Sequence, residues 1–171
     1  MHNLEELAAR FVSAYQQHHH VFTTAESCTG GLISASLTSI SGSSAYFDRA
    51  FITYSNEAKQ EMLQVRADTL ATYGAVSLEV AAQMVTGALN NSKATLGVAV
   101  TGIAGPTGGT ESKPVGTVCI AFKERTWDYA LVKCHHFEGN REQVREQTAA
   151  QALLGLLTLS AGQTLDDYTK L

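Results

Sequence analysis

The stretch "VFTTAESCTGGLISASLTSI", residues 21–40, joins a short apolar segment to an amphipathic one through a turn with two glycines. The β-branched and aromatic side chains of 21–25 predict a strand. Ser27 or Thr29 is suited to cap a helix that begins near Gly30, because hydroxyl groups accept hydrogen bonds from the first free amides of a helix. A strand that turns directly into a helix is typical of α/β proteins.

Helices lie between the strands in the first part of the chain and strands adjoin one another in the later part, with capping residues before helices and apolar runs in strands. Helices are expected at 3–18, 30–40, 55–65, 78–88 and 141–160, and strands at 21–25, 50–54, 95–102, 116–124 and 127–137. The pattern predicts a three-layer α/β/α sandwich with a mixed, mostly parallel central sheet. We expect a single domain over 1–171, with a core over about 5–157 and a frayed tail over 161–171.

Composition excludes some classes of function. The 171 residues carry a net charge of −4, which argues against non-specific binding to nucleic acid because that requires a basic face. No apolar run of about 18 residues is present, so we expect no membrane-spanning helix. The amino terminus, "MHNLEELAAR", lacks the apolar core of a signal peptide. We therefore expect a cytoplasmic protein.

The cysteines and histidines do not form a recognisable metal-binding pattern. Cys28, Cys119 and Cys134 lie far apart and make no CxxC pair, which favours free thiols. The three histidines at 18–20 lie between a predicted helix and a predicted strand, where a solvated loop is expected. A zinc site needs spaced ligands with partners elsewhere in the chain, so we predict no metal.

Three polar stretches follow three predicted strands. They are "ESCTGG", "TYSNEAK" and "TGIAGPTGG". Ligands in open α/β sheets bind beyond the carboxyl ends of the strands, so these stretches should meet in one cleft. Ser27 lies at a strand-to-helix turn, where it can act as a nucleophile beside free amides or can simply cap the helix. Cys28 is a rival nucleophile, although no histidine is placed to activate it.

Lys59 is the candidate base for a serine that lacks a histidine partner. It falls in the first turn of the helix after Tyr54, where the helix dipole disfavours a cation and burial would further lower the pKa of the amine. The alternative is an ordinary surface lysine. Tyr54 either relays a proton or is a core aromatic residue with its hydroxyl at the rim.

The glycine-rich loop after the third buried strand supplies unobstructed backbone amides, which suit a phosphate or a ribose. It matches neither a Walker sequence nor GxGxxG, so by itself it indicates a ligand loop or tight turns. Arg141 lies at the predicted start of the last helix, where an arginine is unfavourable for the helix but suited to a phosphate. The alternative is a solvated arginine next to Glu142.

The chain resembles the nicotinamide-nucleotide amidase (PncC) family, which is also found as the C-terminal domain of CinA proteins. The resemblance covers about residues 5–157 and rests on five separate motifs. They are "TTAESCTGG", "GSSAYFDRAFITYSNEAK", "YGAVS", "TGIAGPTGGTESKPVGTV" and "GNREQVR". It implies hydrolysis of the carboxamide of nicotinamide mononucleotide, without metal or cofactor, by a Ser/Lys dyad. It also implies a homodimer, for which the apolar end of the last helix offers a face unless that face packs on the sheet.

The resemblance assigns roles residue by residue. Ser27 is the nucleophile, Lys59 the base, and Tyr54 and Ser44 supporting hydroxyls. The substrate-binding residues it implies are Cys28, Thr29, Gly30, Gly31, Thr101, Gly102, Gly105 and Arg141, the last for the phosphate. Ser27 and Ser44 both match family motifs, and we favour Ser27 because it alone lies at a strand-to-helix turn. A silent nucleotide-binding paralogue and an amidase for another small amide are the alternative functions.

Overall fold

The computed structural model describes residues 3–171. The helices are α1 (Leu4–His18), α2 (Leu32–Thr38), α3 (Asn56–Leu63), α4 (Ala67–Tyr73), α5 (Leu78–Asn90) and α6 (Arg141–Ser160). The strands are β1 (Phe22–Glu26), β2 (Phe47–Ile52), β3 (Leu96–Gly102), β4 (Thr117–Glu124), β5 (Leu131–His136) and β6 (Thr169–Lys170). A short 3-10 helix, Ser43–Ala45, precedes β2.

The six strands form one mixed sheet in the order β2-β1-β3-β4-β5-β6. Strand β1 pairs in parallel with β2 and with β3, whereas the pairs β3–β4, β4–β5 and β5–β6 are antiparallel. The mixed sheet is confirmed, but its parallel share is smaller than predicted, at two pairings of five. The reason is that β4 returns from β3 without a crossover helix, and a parallel neighbour would require one.

Helices cover both faces of the sheet, which confirms the three-layer sandwich. On one face α1, α2 and α6 pack on Phe22, Val98 and Phe122. On the other face α3 and α5 pack on small side chains such as Ala99 and Ala121. The leucines at the apolar end of α6 lie in the first of these cores, so that end packs on the sheet and offers no free face for a dimer.

Helix starts are mostly where the sequence predicts them. Asn3, Ser55, Ser77 and Asn140 each accept a hydrogen bond from an amide of the first helical turn, and Asn140 forms a full capping box with Gln143. Helix α4 was not predicted, because its N-cap position has no capping side chain and the helix fully buries only one residue.

The predicted frayed tail is wrong. Strand β6 pairs with β5, and Leu171 exchanges two backbone hydrogen bonds with Ala130. Tyr168 packs against the core and its hydroxyl lies 2.8 Å from Nε2 of His135. The segment therefore covers the otherwise unpaired edge of β5, which would attract other strands if it were exposed.

Candidate active site

The carboxyl ends of the parallel strands β1, β2 and β3 meet at one edge of the sheet, as the sequence predicts. Ser27 is the first residue after β1, and its amide donates to the carbonyl of Val100 on β3 at 3.1 Å. This bond fixes the start of the turn to the neighbouring strand. The three polar stretches after the strands line a cleft of about 330 Å³ at this edge.

Lys59 points from α3 directly at Ser27. Its side chain is 1% exposed, and its Nζ lies 3.0 Å from the Ser27 Oγ. The same Nζ donates to the carbonyl oxygens of Thr53 at 2.9 Å and Tyr54 at 3.1 Å. The Ser55 cap starts α3 directly after this carbonyl pair, so the fourth helical residue turns inward over the strand ends.

Burial of Lys59 lowers the pKa of its ammonium group below the usual 10.5. In residues 3–171 no carboxylate forms an ion pair with it. A neutral amine has two N–H donors and one lone pair. The carbonyls of Thr53 and Tyr54 only accept, so in a neutral amine they can take both donors and leave the lone pair toward the Ser27 hydroxyl. A protonated Lys59 instead donates its third N–H to the Ser27 Oγ, whose own hydroxyl lies 3.5 Å from the Tyr54 carbonyl.

Cys28 lines the cleft next to Ser27, but its side chain is buried. Burial raises the pKa of the thiol to about 12, and the nearby Glu26 adds to the rise against the opposing effect of Arg145. The thiol therefore stays protonated and is a poor nucleophile. Geometry and charge both favour Ser27 over Cys28.

The turn after Ser27 has backbone amides that no other residue accepts. The amide of Gly30 donates to the Ser27 carbonyl at 3.0 Å, and Gly30 and Gly31 have φ of +58° and +106°, a region that favours glycine. In the described part of the chain the amides of Cys28, Thr29 and Gly31 have no hydrogen bond to another residue. Of these three residues only Cys28 lines the cleft, so its amide is the candidate donor for an oxyanion.

Helix α2 is capped by neither Ser27 nor Thr29, contrary to the prediction. The carboxylate of Glu26, which is fully buried, accepts from the amides of Ile33 at 2.9 Å and Ser34 at 3.0 Å. It also accepts from the hydroxyl of Thr29 at 2.8 Å. Sequence reasoning missed Glu26, although a lone acid at the end of an apolar strand is a usable signal.

Thr29, Gly30 and Gly31 shape the turn without lining the cleft. Thr29 is fully buried and its hydroxyl is bound to Glu26, so the structure gives it no contact with a ligand in the cleft. The four expected substrate-binding residues of the turn therefore differ in their position. Cys28 lines the cleft, whereas Thr29, Gly30 and Gly31 support the turn from outside it.

Thr101, Gly102 and Gly105 all line the cleft. The Thr101 hydroxyl donates to the carbonyl of Ala75 at 2.9 Å and so joins β3 to the segment before α5. A Cβ on Gly102 would lie 2.6 Å from Val118 Cγ2, which explains the glycine by the close approach of β4.

Arg141 and Tyr54 meet at the mouth of the cleft. Arg141 donates through Nη1 to the Gly105 carbonyl at 2.8 Å and through Nη2 to the Tyr54 hydroxyl at 3.2 Å. Tyr54 is 63% exposed. It therefore reaches Lys59 only through its carbonyl, and the predicted contact of its hydroxyl with the lysine is not present. Arginine has five N–H donors, so further donors remain for an anion.

Ser44 does not join the other predicted residues. It is exposed in the 3-10 helix at the amino end of β2, whereas the cleft lies at the carboxyl ends of the strands. It is not among the residues that line the cleft. The structure therefore brings Ser27, and not Ser44, to the lysine of the same chain.

Arg145 was also missed by sequence reasoning. It lies one helical turn after Arg141 on α6 and donates to the carbonyls of Cys28 at 3.1 Å and Thr29 at 2.8 Å. The spacing of the two arginines in "GNREQVR" is a usable signal, because residues four apart share a helix face.

Residues 3–171 contain neither a metal-binding cluster nor a membrane-spanning helix. No group of three or more His, Cys, Asp or Glu side chains is arranged to hold a metal ion. No helix in this range is both long enough and apolar enough to cross a membrane.

Comparison with known proteins gives a family and several close relatives. A family model described as the CinA C-terminal domain matches residues 4–160. The nicotinamide-nucleotide amidohydrolase PncC of Escherichia coli is 47% identical over 150 residues, which cover 88% of this chain and 90% of that protein. A CinA-like protein of Syntrophobacter fumaroxidans is 57% identical over 136 residues, which cover 78% of this chain but 31% of that protein.

Solved structures agree with the fold. The competence damage-inducible protein A of Klebsiella pneumoniae superposes with a TM-score of 0.89 at 37% identity, over 95% of this chain and all of that one. The competence/damage inducible protein CihA of Agrobacterium tumefaciens gives 0.86 at 47% identity, over 93% of this chain and 96% of that one.

Proposed function

We propose that this chain, which belongs to the CinA C-terminal domain family, hydrolyses the carboxamide of nicotinamide mononucleotide to nicotinate mononucleotide and ammonia. The chain is an enzyme of the amidohydrolase class, as its identity to the E. coli amidohydrolase indicates. The observation that carries the finer proposal is the 3.0 Å approach of the buried Lys59 Nζ to the Ser27 Oγ. Nucleophile and base within hydrogen-bond reach are what acyl transfer requires.

In the first step, neutral Lys59 takes the hydroxyl proton of Ser27 as the Oγ attacks the carboxamide carbon. The amide of Cys28 donates to the oxyanion that forms. The Lys59 ammonium then gives its proton to the leaving nitrogen, the C–N bond breaks and ammonia departs. A nicotinoyl ester of Ser27 remains.

In the second step, Lys59 takes a proton from water as the water oxygen attacks the ester carbon. The C–O bond to Ser27 breaks, the proton returns to the Oγ, and the carboxylic acid leaves and ionises. The carbonyls of Thr53 and Tyr54 hold the amine through both steps. The lysine therefore needs no second residue as acid.

The rest of the substrate extends toward the mouth of the cleft. The guanidinium of Arg141 is charged, lies at the mouth and keeps unused donors, which supports a role in binding the phosphate. The amides of the glycine loop line the same wall and suit a phosphate or ribose. The positive pyridinium ring makes the carboxamide carbon more electrophilic.

The proposal includes a cytoplasmic location and a homodimer. The cytoplasmic location rests on the amino-terminal sequence, which lacks the apolar core of a signal peptide. The dimer rests on the family resemblance, and its interface cannot be the buried leucine face of α6.

The test is release of ammonia from nicotinamide mononucleotide by the purified chain without added metal. Ser27→Ala and Lys59→Met should each lower kcat by about 10²-fold or more, because nucleophile and base act as a unit. Ser41→Ala and Lys93→Met, which alter an exposed serine and an exposed lysine, serve as controls and should match the wild type.

Mass spectrometry of a quenched reaction distinguishes the two candidate serines. The nicotinoyl group should be found on the peptide that contains Ser27. A label on the peptide of Ser44, or full activity in both Ser27→Ala and Lys59→Met, would refute the dyad. A wild type that binds the nucleotide in calorimetry but releases no ammonia would favour the silent paralogue.

A further inference from the structure

The turn that carries the reacting groups is held from outside the cleft by Arg145. This guanidinium does not line the cleft, yet it donates to two consecutive carbonyls of the turn, those of Cys28 and Thr29. We propose that Arg145 is a positioning residue that fixes the peptide after Cys28, and thereby keeps Ser27 and the Cys28 amide in place for attack. The catalytic part of this proposal rests on the proposed amidase function.

The Cys28 carbonyl depends on Arg145 alone. The Ser27 carbonyl is held by the amide of Gly30 at 3.0 Å, and the Thr29 carbonyl also accepts from the amide of Leu32 at 3.1 Å. Over residues 3–171 the Cys28 carbonyl has no other protein donor. Without the guanidinium, the peptide between Cys28 and Thr29 would lose its only carbonyl partner and could rotate.

Rotation of that peptide matters for the chemistry because it begins at the residue that offers the oxyanion donor. The peptide group is planar, so a bond to its carbonyl fixes the whole plane. The plane before Cys28 is held by Gly30 and the plane after it by Arg145, so the backbone of Cys28 is pinned on both sides. A misplacement of about 1 Å at a reacting group can lower the rate about 10²-fold.

Glu26 also supports this turn, but it does not make the contacts that Arg145 makes. Its carboxylate binds the Thr29 hydroxyl and the first amides of α2, but it has no bond to the Cys28 peptide. The planar fork of an arginine donates to two adjacent carbonyls in a fixed geometry, which the single ammonium of a lysine does not reproduce.

The experiment compares Arg145→Ala and Arg145→Lys with Arg125→Ala. Arg125 is a matched control because it also donates to carbonyls, those of Ala94, Leu89 and Ser92, but at the opposite edge of the sheet. Arg145→Ala should lower kcat about 10²-fold. Its KM should change by less than about threefold, because the guanidinium does not touch the cleft.

Arg125→Ala should lower Tm and leave kcat close to the wild type. Arg145→Lys should stay near the Ala variant, because it keeps the charge but loses the fork. Millimolar guanidinium chloride, far below denaturing concentrations, should partly restore kcat in Arg145→Ala and leave Arg125→Ala unchanged. An unchanged kcat in Arg145→Ala, or a loss matched by the fall in folded fraction, would overturn the proposal.

Amide hydrogen exchange separates this proposal from the proposed function. The peptide that contains residues 27–34 should exchange faster in Arg145→Ala than in the wild type and in Arg125→Ala. If the wild type releases no ammonia from nicotinamide mononucleotide, the proposed function fails, and faster exchange still supports the positioning role. Unchanged exchange in this peptide refutes the role of Arg145 whatever the substrate.

Discussion

At the scale of single residues, the unusual feature is a lysine held in the protein interior without a carboxylate. Transfer of a charged ammonium from water into such a site is costly, and the cost falls when the amine loses its proton. Two carbonyls and the Ser27 hydroxyl surround the Lys59 Nζ, and burial lowers the pKa of the amine. The proposed role of Lys59 as a base requires such a lowered pKa.

The rate of ammonia release should therefore rise with pH. Protonated Lys59 cannot accept the Ser27 proton, so well below its pKa kcat/KM should rise about tenfold per pH unit. The midpoint should lie below 10.5, because burial lowers the pKa of Lys59. The measurement is kcat/KM over the pH range in which Tm shows the protein to be folded.

Lys59→Arg is the control for this profile. A guanidinium does not lose its proton in this range, so the variant should be inactive at every pH. A wild-type profile that is flat, or that falls as pH rises toward neutrality, would contradict the role of Lys59 as base.

At the scale of elements, α3 must be held against α5 to keep Lys59 in place. Gly87 on α5 lies directly against the backbone of Leu63 at the end of α3. A Cβ there would overlap the Leu63 carbonyl group, so only glycine allows this approach. The packing of two helices thus controls the position of a side chain in the cleft.

Gly87→Ala should reduce the free energy of unfolding by about 1–3 kcal/mol, because overpacking forces the two helices apart. The direction of the change in unfolding free energy is informative, because Gly→Ala at a helical site with open space around it would stabilise the protein by about 1 kcal/mol. Urea unfolding measures the change, and ammonia release should fall with it as α3 moves.

Thr86→Ala, at the neighbouring position of α5, is the matched control. Its hydroxyl bonds only to the Ala82 carbonyl one turn earlier, so the change should stay within about 0.5 kcal/mol. A stabilised Gly87→Ala variant would show that the contact with Leu63 does not limit the packing.

At the level of the whole molecule, the last residues of the chain form the edge strand of the sheet. Strand β6 covers the edge of β5, and Tyr168 covers His135. Burial lowers the pKa of His135 to about 4, and the nearby Lys133 adds to this effect. The folded protein therefore keeps this imidazole neutral well below the usual histidine pKa of 6.5.

Stability should fall as pH drops from about 6.5 to about 4, because in this window the unfolded chain binds a proton at His135 that the folded chain does not. His135→Gln removes this group and should give a shallower decline of Tm over the same window. His18→Gln, which removes an exposed histidine on α1, is the control for the loss of an imidazole elsewhere in the chain. If Tm declined equally with pH in the wild type and in His135→Gln, the neutral burial of His135 would not explain the loss of stability.

Local signals in the sequence were sufficient for much of the fold. The helix caps at Asn3, Ser55, Ser77 and Asn140, and the apolar runs of β1 and β3, depend on neighbours within a few residues, so each can be read from a short window. The helices were also predicted to cover both faces of the sheet. The misjudged parts were α4, which is short and poorly capped, and the tail, whose order comes from the distant edge of β5.

The order of residues along the chain was enough to predict that Ser27, Lys59 and the glycine loop follow three strands, and parallel strands bring such positions to one edge. Which side chains meet at that edge became clear from the folded protein alone. The tertiary structure placed Ser44 at the opposite edge, turned the Tyr54 hydroxyl toward Arg141, and revealed Glu26 and Arg145 as the supports of the turn. The physical reason is that these contacts join distant segments or depend on where a side chain points, which no local propensity encodes.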